Sequence, residues 1–233
     1  MNNFLNKNNL IKNKTIDLKV YVDPGHGGKD TGAVGNGLIE RDINLVMALS
    51  LGNFLKKLGV NVQYSRTNNF TEKTLVERTN EAKEWNADLL VSVHNNAGGG
   101  DGFEIIHTIF EKTSIGDDIA RSIVYAVENF SKQNFRRYIT KENSKGRDWF
   151  GINRLSGKIP SIITEGAFLD TKDSELIDTI EEQQEFGYVI AAGICLYFGI
   201  LKEQKQAENN AITIGIDKII SGLTDIKNQL KSI

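Results

Sequence analysis

The chain has 233 residues, enough for one substantial domain and a short appendage. Charged residues make up 25% and apolar residues 39%, an ordinary globular balance, and a net charge of −2 gives no general attraction to nucleic acid or anionic membranes. One cysteine, Cys195, excludes an internal disulfide, and its neighbours Ile194 and Leu196 mark it as a buried small hydrophobe.

Residues 1–17 read as a mildly basic, Asn-rich N-terminal tail without an apolar secretory core, so synthesis in the cytoplasm is expected, with action elsewhere only after release. The longest apolar run, Tyr188 to Leu201, is about fourteen residues, short of the roughly 20 a membrane helix needs. From Leu18 the pattern alternates between strands and helices. Leu18 to Val22 is a strand, and Asp23-Pro24-Gly25-His26-Gly27-Gly28-Lys29-Asp30 opens a glycine-rich loop. Ile43, Val46, Met47, Leu51, Phe54, Leu55 and Leu58 recur at helical spacing over 40–58, and Gly59 stops that helix. Strands follow at 60–64, 88–93 and 103–107, with helices at 74–85 and 115–131 between and after them. Residues 133–158 read as basic and irregular. Pro160 opens the strand 161–164, and a last core helix is expected over 172–198. This alternation predicts an α/β fold: a central, mostly parallel, twisted sheet of about six strands with helices on both faces, plus a C-terminal helical tail.

Six of the thirteen residues from Gly25 to Gly37 are glycine, so this loop can take positive φ and approach another group closely. It is not a phosphate-binding loop, because Asp30 stands where Ser or Thr would follow Lys29. Three apolar strands deliver His26, His94 and Glu165 at their carboxyl ends, the edge where open α/β sheets bind ligands. Two neutral imidazoles and a carboxylate suit zinc, so His26, Glu40 and His94 form a candidate metal site, with water in a fourth position. Glu165 would then serve as general base and later hand a proton to a leaving amine. Taken singly each residue has a structural alternative. Either histidine could simply close a strand, Glu40 could be a first-turn carboxylate favoured by the helix dipole, and Glu165 could pair with an arginine.

Val20-Tyr21-Val22-Asp23-Pro24-Gly25-His26-Gly27-Gly28, Glu40, Leu75-Val76-Glu77-Arg78-Thr79-Asn80, the run from Ala87 through His94 to Ala97, and Pro160 to Phe168 resemble the zinc-dependent N-acetylmuramoyl-L-alanine amidases of the Amidase_3 type. The resemblance spans residues 18–200 in order, and it implies Zn2+ on His26, Glu40 and His94 with Glu165 as the catalytic carboxylate. The bond cut would join N-acetylmuramic acid to L-alanine in peptidoglycan. A phage endolysin or a sporulation lysin fits the expected cytoplasmic synthesis. The chain departs from the usual pattern in reading Glu165-Gly166-Ala167-Phe168 where Glu-Leu-Gly-Phe is common, and in carrying Asn95 where a small residue is usual. A zinc hydrolase of another amide (peptidase or deacetylase) and a catalytically dead wall-binding module are the alternatives; retention of Glu165 speaks against the second.

His107 and Glu104, on the strand 103–107, read as structural or rim-lining, and Arg66 and Arg78 as anchors for carboxylates within the fold. Residues 135–158 hold seven Lys or Arg with four interleaved aromatics. They read as a solvated loop or as a groove wall for anionic stem peptides or wall phosphates, ahead of a nucleic-acid surface. Residues 201–233 read as a polar linker and an amphipathic helix. Ile212, Ile216, Ile219, Leu223, Ile226, Leu230 and Ile233 form a heptad stripe that suits self-association or docking.

Overall fold

The computed structural model describes residues 16–109 and 115–201. The heptad stripe and residues 1–15 of the N-terminal tail therefore lie outside the described residues. The first strand, β1 (Lys19–Pro24), is followed by a two-residue pair, β2 (Val34–Gly35) and β3 (Leu38–Ile39), within the stretch expected to be only a glycine-rich loop. Its turn is Asn36-Gly37, with φ of 49° and 79°. That is the dipeptide and backbone sign two-residue hairpins favour. The hairpin leads directly into α1 (Glu40–Lys57). No side chain caps this helix. Its first N–H groups donate instead to loop carbonyls, Glu40 to Ala33 and Arg41 to Thr31, at 2.9 Å each. The glycine loop therefore determines where α1 begins.

Then come β4 (Asn61–Tyr64), α2 (Leu75–Glu84) with a Thr74–Glu77 capping box, β5 (Leu89–Asn96), β6 (Phe103–His107) and α3 (Ile115–Phe130). The stretch expected to be irregular contains a strand, β7 (Phe135–Ile139), and a short helix, α4 (Gly151–Ser156). β7 was illegible because it is an exposed edge strand, and its Arg136-Arg137 pair interrupts apolar alternation. The described residues end with β8 (Ser161–Phe168), a 3-10 turn over Lys172–Leu176, and α5 (Ile180–Tyr197). α5 starts eight residues later than expected, where Thr179 and Glu182 form a capping box.

The sheet order is β4-β1-β5-β8-β6-β7. β4, β1, β5 and β8 are mutually parallel, β6 runs antiparallel to β8, and β7 is parallel to β6. The sheet is mostly parallel, as expected, with one reversed flank. On one face Tyr21, Leu90, Ile106 and Ile163 pack with Ala82 and Ile152, so α2 and α4 cover it. The alternate residues Val20, Val22, Leu89, Val91, Ile105 and Ile162 are fully buried too, and α1, α3 and α5 pack together as the second helical layer. Burial of both faces explains why these strands read as unbroken apolar runs.

Candidate metal centre

β1, β5 and β8 are adjacent and parallel, so their carboxyl ends converge on one edge. His26 lies just past the end of β1. His94 and Glu165 lie within β5 and β8 rather than at their ends, and they are register partners. Glu40 is the first residue of α1, which the hairpin carries back over this edge.

One donor atom from each of His26, Glu40 and His94 lies within 4.8 Å of the others. Glu40 is 3% exposed and sits between the two rings. His26 Nε2 is 3.0 Å from its Oε2, and His94 Nδ1 is 2.9 Å from its Oε1. Glu40 is oriented by further donors: the Ala33 N–H reaches Oε2 at 2.8 Å, while the Asn44 amide and the Asn95 N–H reach Oε1 at 3.2 Å each. Burial alone would raise its pKa, but the two imidazoles hold it well below the usual carboxylate range. On the far side of the His26 ring, Nδ1 meets Asp30 Oδ2 at 2.9 Å. Burial disfavours the imidazolium of His26, yet Glu40 and Asp30 together raise its pKa.

The loop holding His26 is strained and firmly tied down. His26 has φ of 63°, a left-handed conformation that non-glycine residues rarely take. Arg78 donates to the carbonyls of Pro24 and His26, at 2.9 and 2.7 Å, and to Asp23, which Ser65 and Ser92 also hydrogen-bond. Arg78 thus anchors a carboxylate as expected. Arg66 does not: it donates to the carbonyls of Pro24, Gly25, Arg41 and Asn68 and to the side-chain oxygen of Asn69. A loop of consecutive outward carbonyls needs buried donors, and a guanidinium supplies five.

Close packing shapes the donor cradle. A Cβ on Gly25 would stand 2.2 Å from the His94 ring, and one on Gly32 would stand 2.4 Å from Glu40 Oε2. The two departures noted in the sequence share one cause. Asn95 is buried on the opposite face of β5, donating to Asn44 Oδ1 and accepting from the Ala167 N–H, and a Cβ on residue 166 would come within 2.7 Å of its Oδ1. Gly166 leaves the space that Asn95 occupies.

Glu165 has a buried carboxylate oxygen, Oε2, without a hydrogen-bond partner. Burial, then the charges of Glu40 and Glu104, push its pKa well above the usual range. Glu104, read as structural or rim-lining, is 1% exposed and pairs with Arg137 and Arg136. His107 stands apart from the cluster, 3.7 Å from Asp117. Asp30 and Asn44, which orient the donors, were not singled out from the sequence. Their offsets of four residues from His26 and from Glu40 were the available signal.

The family model for N-acetylmuramoyl-L-alanine amidase, Amidase_3, matches residues 20–195. The chain belongs to this family. This amidase is 35% identical over 190 residues to N-acetylmuramoyl-L-alanine amidase CwlM of Bacillus licheniformis, a match covering 79% of this chain and 70% of that one. It is 31% identical over 212 residues to the sporulation-specific N-acetylmuramoyl-L-alanine amidase of Bacillus subtilis, covering 87% and 76%. The crystal structure of N-acetylmuramoyl-L-alanine amidase from Clostridium difficile 630 superimposes with a TM-score of 0.69 at 29% identity, covering 78% and 97%. The Amidase_3 enzyme described here hydrolyses the amide joining the muramoyl group to L-alanine in peptidoglycan, and so degrades cell wall. Among its described residues no helix is long and apolar enough to cross a membrane.

Proposed function

We propose that this amidase works with zinc held by His26, Glu40 and His94, and that Glu165 is its general base and acid. The supporting observation is the meeting of the three donors within 4.8 Å, with Glu165 one strand away in register with His94. The donor set fits zinc. Donors about 2.1 Å from a tetrahedral ion stand roughly 3.4 Å apart, and the 3.0 Å between His26 Nε2 and Glu40 Oε2 needs only a small opening. Bound there, zinc would polarise the scissile carbonyl and lower the pKa of a water to about 7.

The protein's own groups supply the rest. Asp30 Oδ2 stands 2.9 Å from His26 Nδ1, where accepting its N–H would leave the Nε2 lone pair for the metal. Glu40 Oε2 is held toward the site by the Ala33 N–H. Glu165 takes a proton from the attacking water at Oε2 and returns it to the departing L-alanine nitrogen, the microscopic sequence that amide hydrolysis requires. Its sheltered position raises its affinity for that proton. Residues 18–200 carry this chemistry.

The deciding experiment compares wild type and Glu165→Gln on purified cell walls, with metal content measured in both. About one zinc per chain is expected in each, with clearing only by the wild type. A zinc-free wild type that still clears walls would refute the metal assignment. A fully active Glu165→Gln would refute the role of Glu165.

A further inference from the structure

Beyond the reacting centre, the sheet register extends the site. His94 on β5 pairs with Glu165 on β8, Glu165 pairs with Glu104 on β6, and Glu104 pairs with Arg137 on β7. Residues paired across strands point to the same face, so these four side chains form one transverse row. The ladder between β6 and β7 slips between Phe103 and Glu104: Phe103 pairs with Phe135 but Glu104 pairs with Arg137. Arg136 is the extra residue. Such a bulge re-aims side chains, and here both guanidiniums reach the same oxygen, Glu104 Oε1, at 3.4 Å for Arg136 and 2.8 Å for Arg137. The other oxygen of Glu104 accepts from the Asn96 amide.

One buried carboxylate thus serves two arginines, and among the described residues no second carboxylate pairs with either. One positive charge is left over at a solvent-facing position. Arg136 is half-exposed and lies over the Phe168 ring, 5.0 Å from its centroid, so its guanidinium plane is held rather than waving in solvent.

We propose that Arg136, assisted by Arg137, is a subsite for a carboxylate of the peptidoglycan stem peptide. The proposal rests on the His26–Glu40–His94–Glu165 edge being the reacting centre. The reach is right: two strand spacings separate Glu165 from Arg137, about 10 Å, which is the span of about three extended residues. A stem peptide whose L-alanine amide lies at Glu165 brings a carboxylate two or three residues further on to the arginines. The guanidinium fork matches a carboxylate in two parallel hydrogen bonds.

The test uses the full chain and two soluble muramoyl peptides, one with free stem carboxylates and one with them amidated, neither carrying wall phosphate polymer. For Arg136→Gln on the free-acid peptide, KM rises about tenfold, the size of one charge-assisted hydrogen bond, with kcat within about twofold. On the amidated peptide the variant and wild type have equal KM, and Arg136→Lys falls between the two on the free acid. Equal loss on both peptides would overturn the proposal, as would a fall in kcat at constant KM. So would a defect seen on whole walls but not on either peptide, which would place the arginines on wall phosphates. Because each arm compares KM in an active enzyme, a failed zinc assignment cannot mimic any of these results.

Discussion

His94 and Glu165 are register partners on neighbouring parallel strands, although most of the chain's middle third lies between them in sequence. The first presents an imidazole to Glu40, and the second places a solvent-shielded carboxylate beside it. Neither orientation depends on a loop. The separation between His94 and that carboxylate is set by strand spacing.

Asp30 is mostly exposed, so Asp30→Asn should leave folding intact while removing the charge that orients His26. Metal affinity should fall about 10- to 100-fold. Titration with a competing chelator at fixed protein concentration measures this, and unchanged affinity would show that the Asp30 contact does not support the site.

Gly25→Ala puts a methyl 2.2 Å from the His94 ring. His94 must swing away, and both zinc content and wall clearing should be lost. Gly37→Ala is the matched control, because no atom lies within 4 Å of its added Cβ and only its positive φ is strained. It should cost about 1 kcal/mol of stability and keep its metal.

Asn95 and Gly166 should be coupled. Gly166→Ala alone forces its methyl within 2.7 Å of Asn95 Oδ1 and should destabilise by about 1–3 kcal/mol. In an Asn95→Ala background that cost should shrink by at least about 0.5 kcal/mol. Denaturant unfolding of the four proteins of the cycle gives the coupling, and strict additivity would remove the link between the two departures.

Arg78→Gln leaves Asp23 buried beside hydroxyls alone, and should cost about 3–5 kcal/mol. The pH dependence has a definite sign. Burial would raise the pKa of Asp23, yet Arg78, Ser65 and Ser92 hold it below its ordinary value. A carboxylate with a depressed folded pKa stabilises above its unfolded value, about 4, and that stability is lost as pH falls through the folded pKa. Wild type should therefore lose stability below about pH 4 more steeply than Arg78→Gln. Urea midpoints from pH 7 to pH 2 report it, and parallel curves would mean Arg78 does not hold Asp23 ionised.

The paired apolar runs Leu18–Val22 and Leu89–Val93, and the helical spacing from Ile43 to Leu58, were legible because burial on both sheet faces and on one helix face leaves a local periodic trace. His26, Glu40, His94 and Glu165 stood out through their places at the borders of such runs. The Asn36-Gly37 hairpin was legible in principle, since that dipeptide carries its own turn preference. β7 was not, because an edge strand with one wet face and two adjacent arginines shows no period.

The sequence by itself determined which side chains could do chemistry and which apolar or alternating runs would be strands, since composition and period are local properties of the chain. Only the tertiary structure decided the neighbours: β8 between β5 and β6, the reversal of β6, Asn95 filling the space beside Gly166, and the slip that pairs Glu104 with Arg137 and leaves Arg136 as the extra residue. The physical reason is that strand pairing and close packing are contacts between residues distant in the chain. Their register is settled by the joint fit of both partners, and no single segment encodes it.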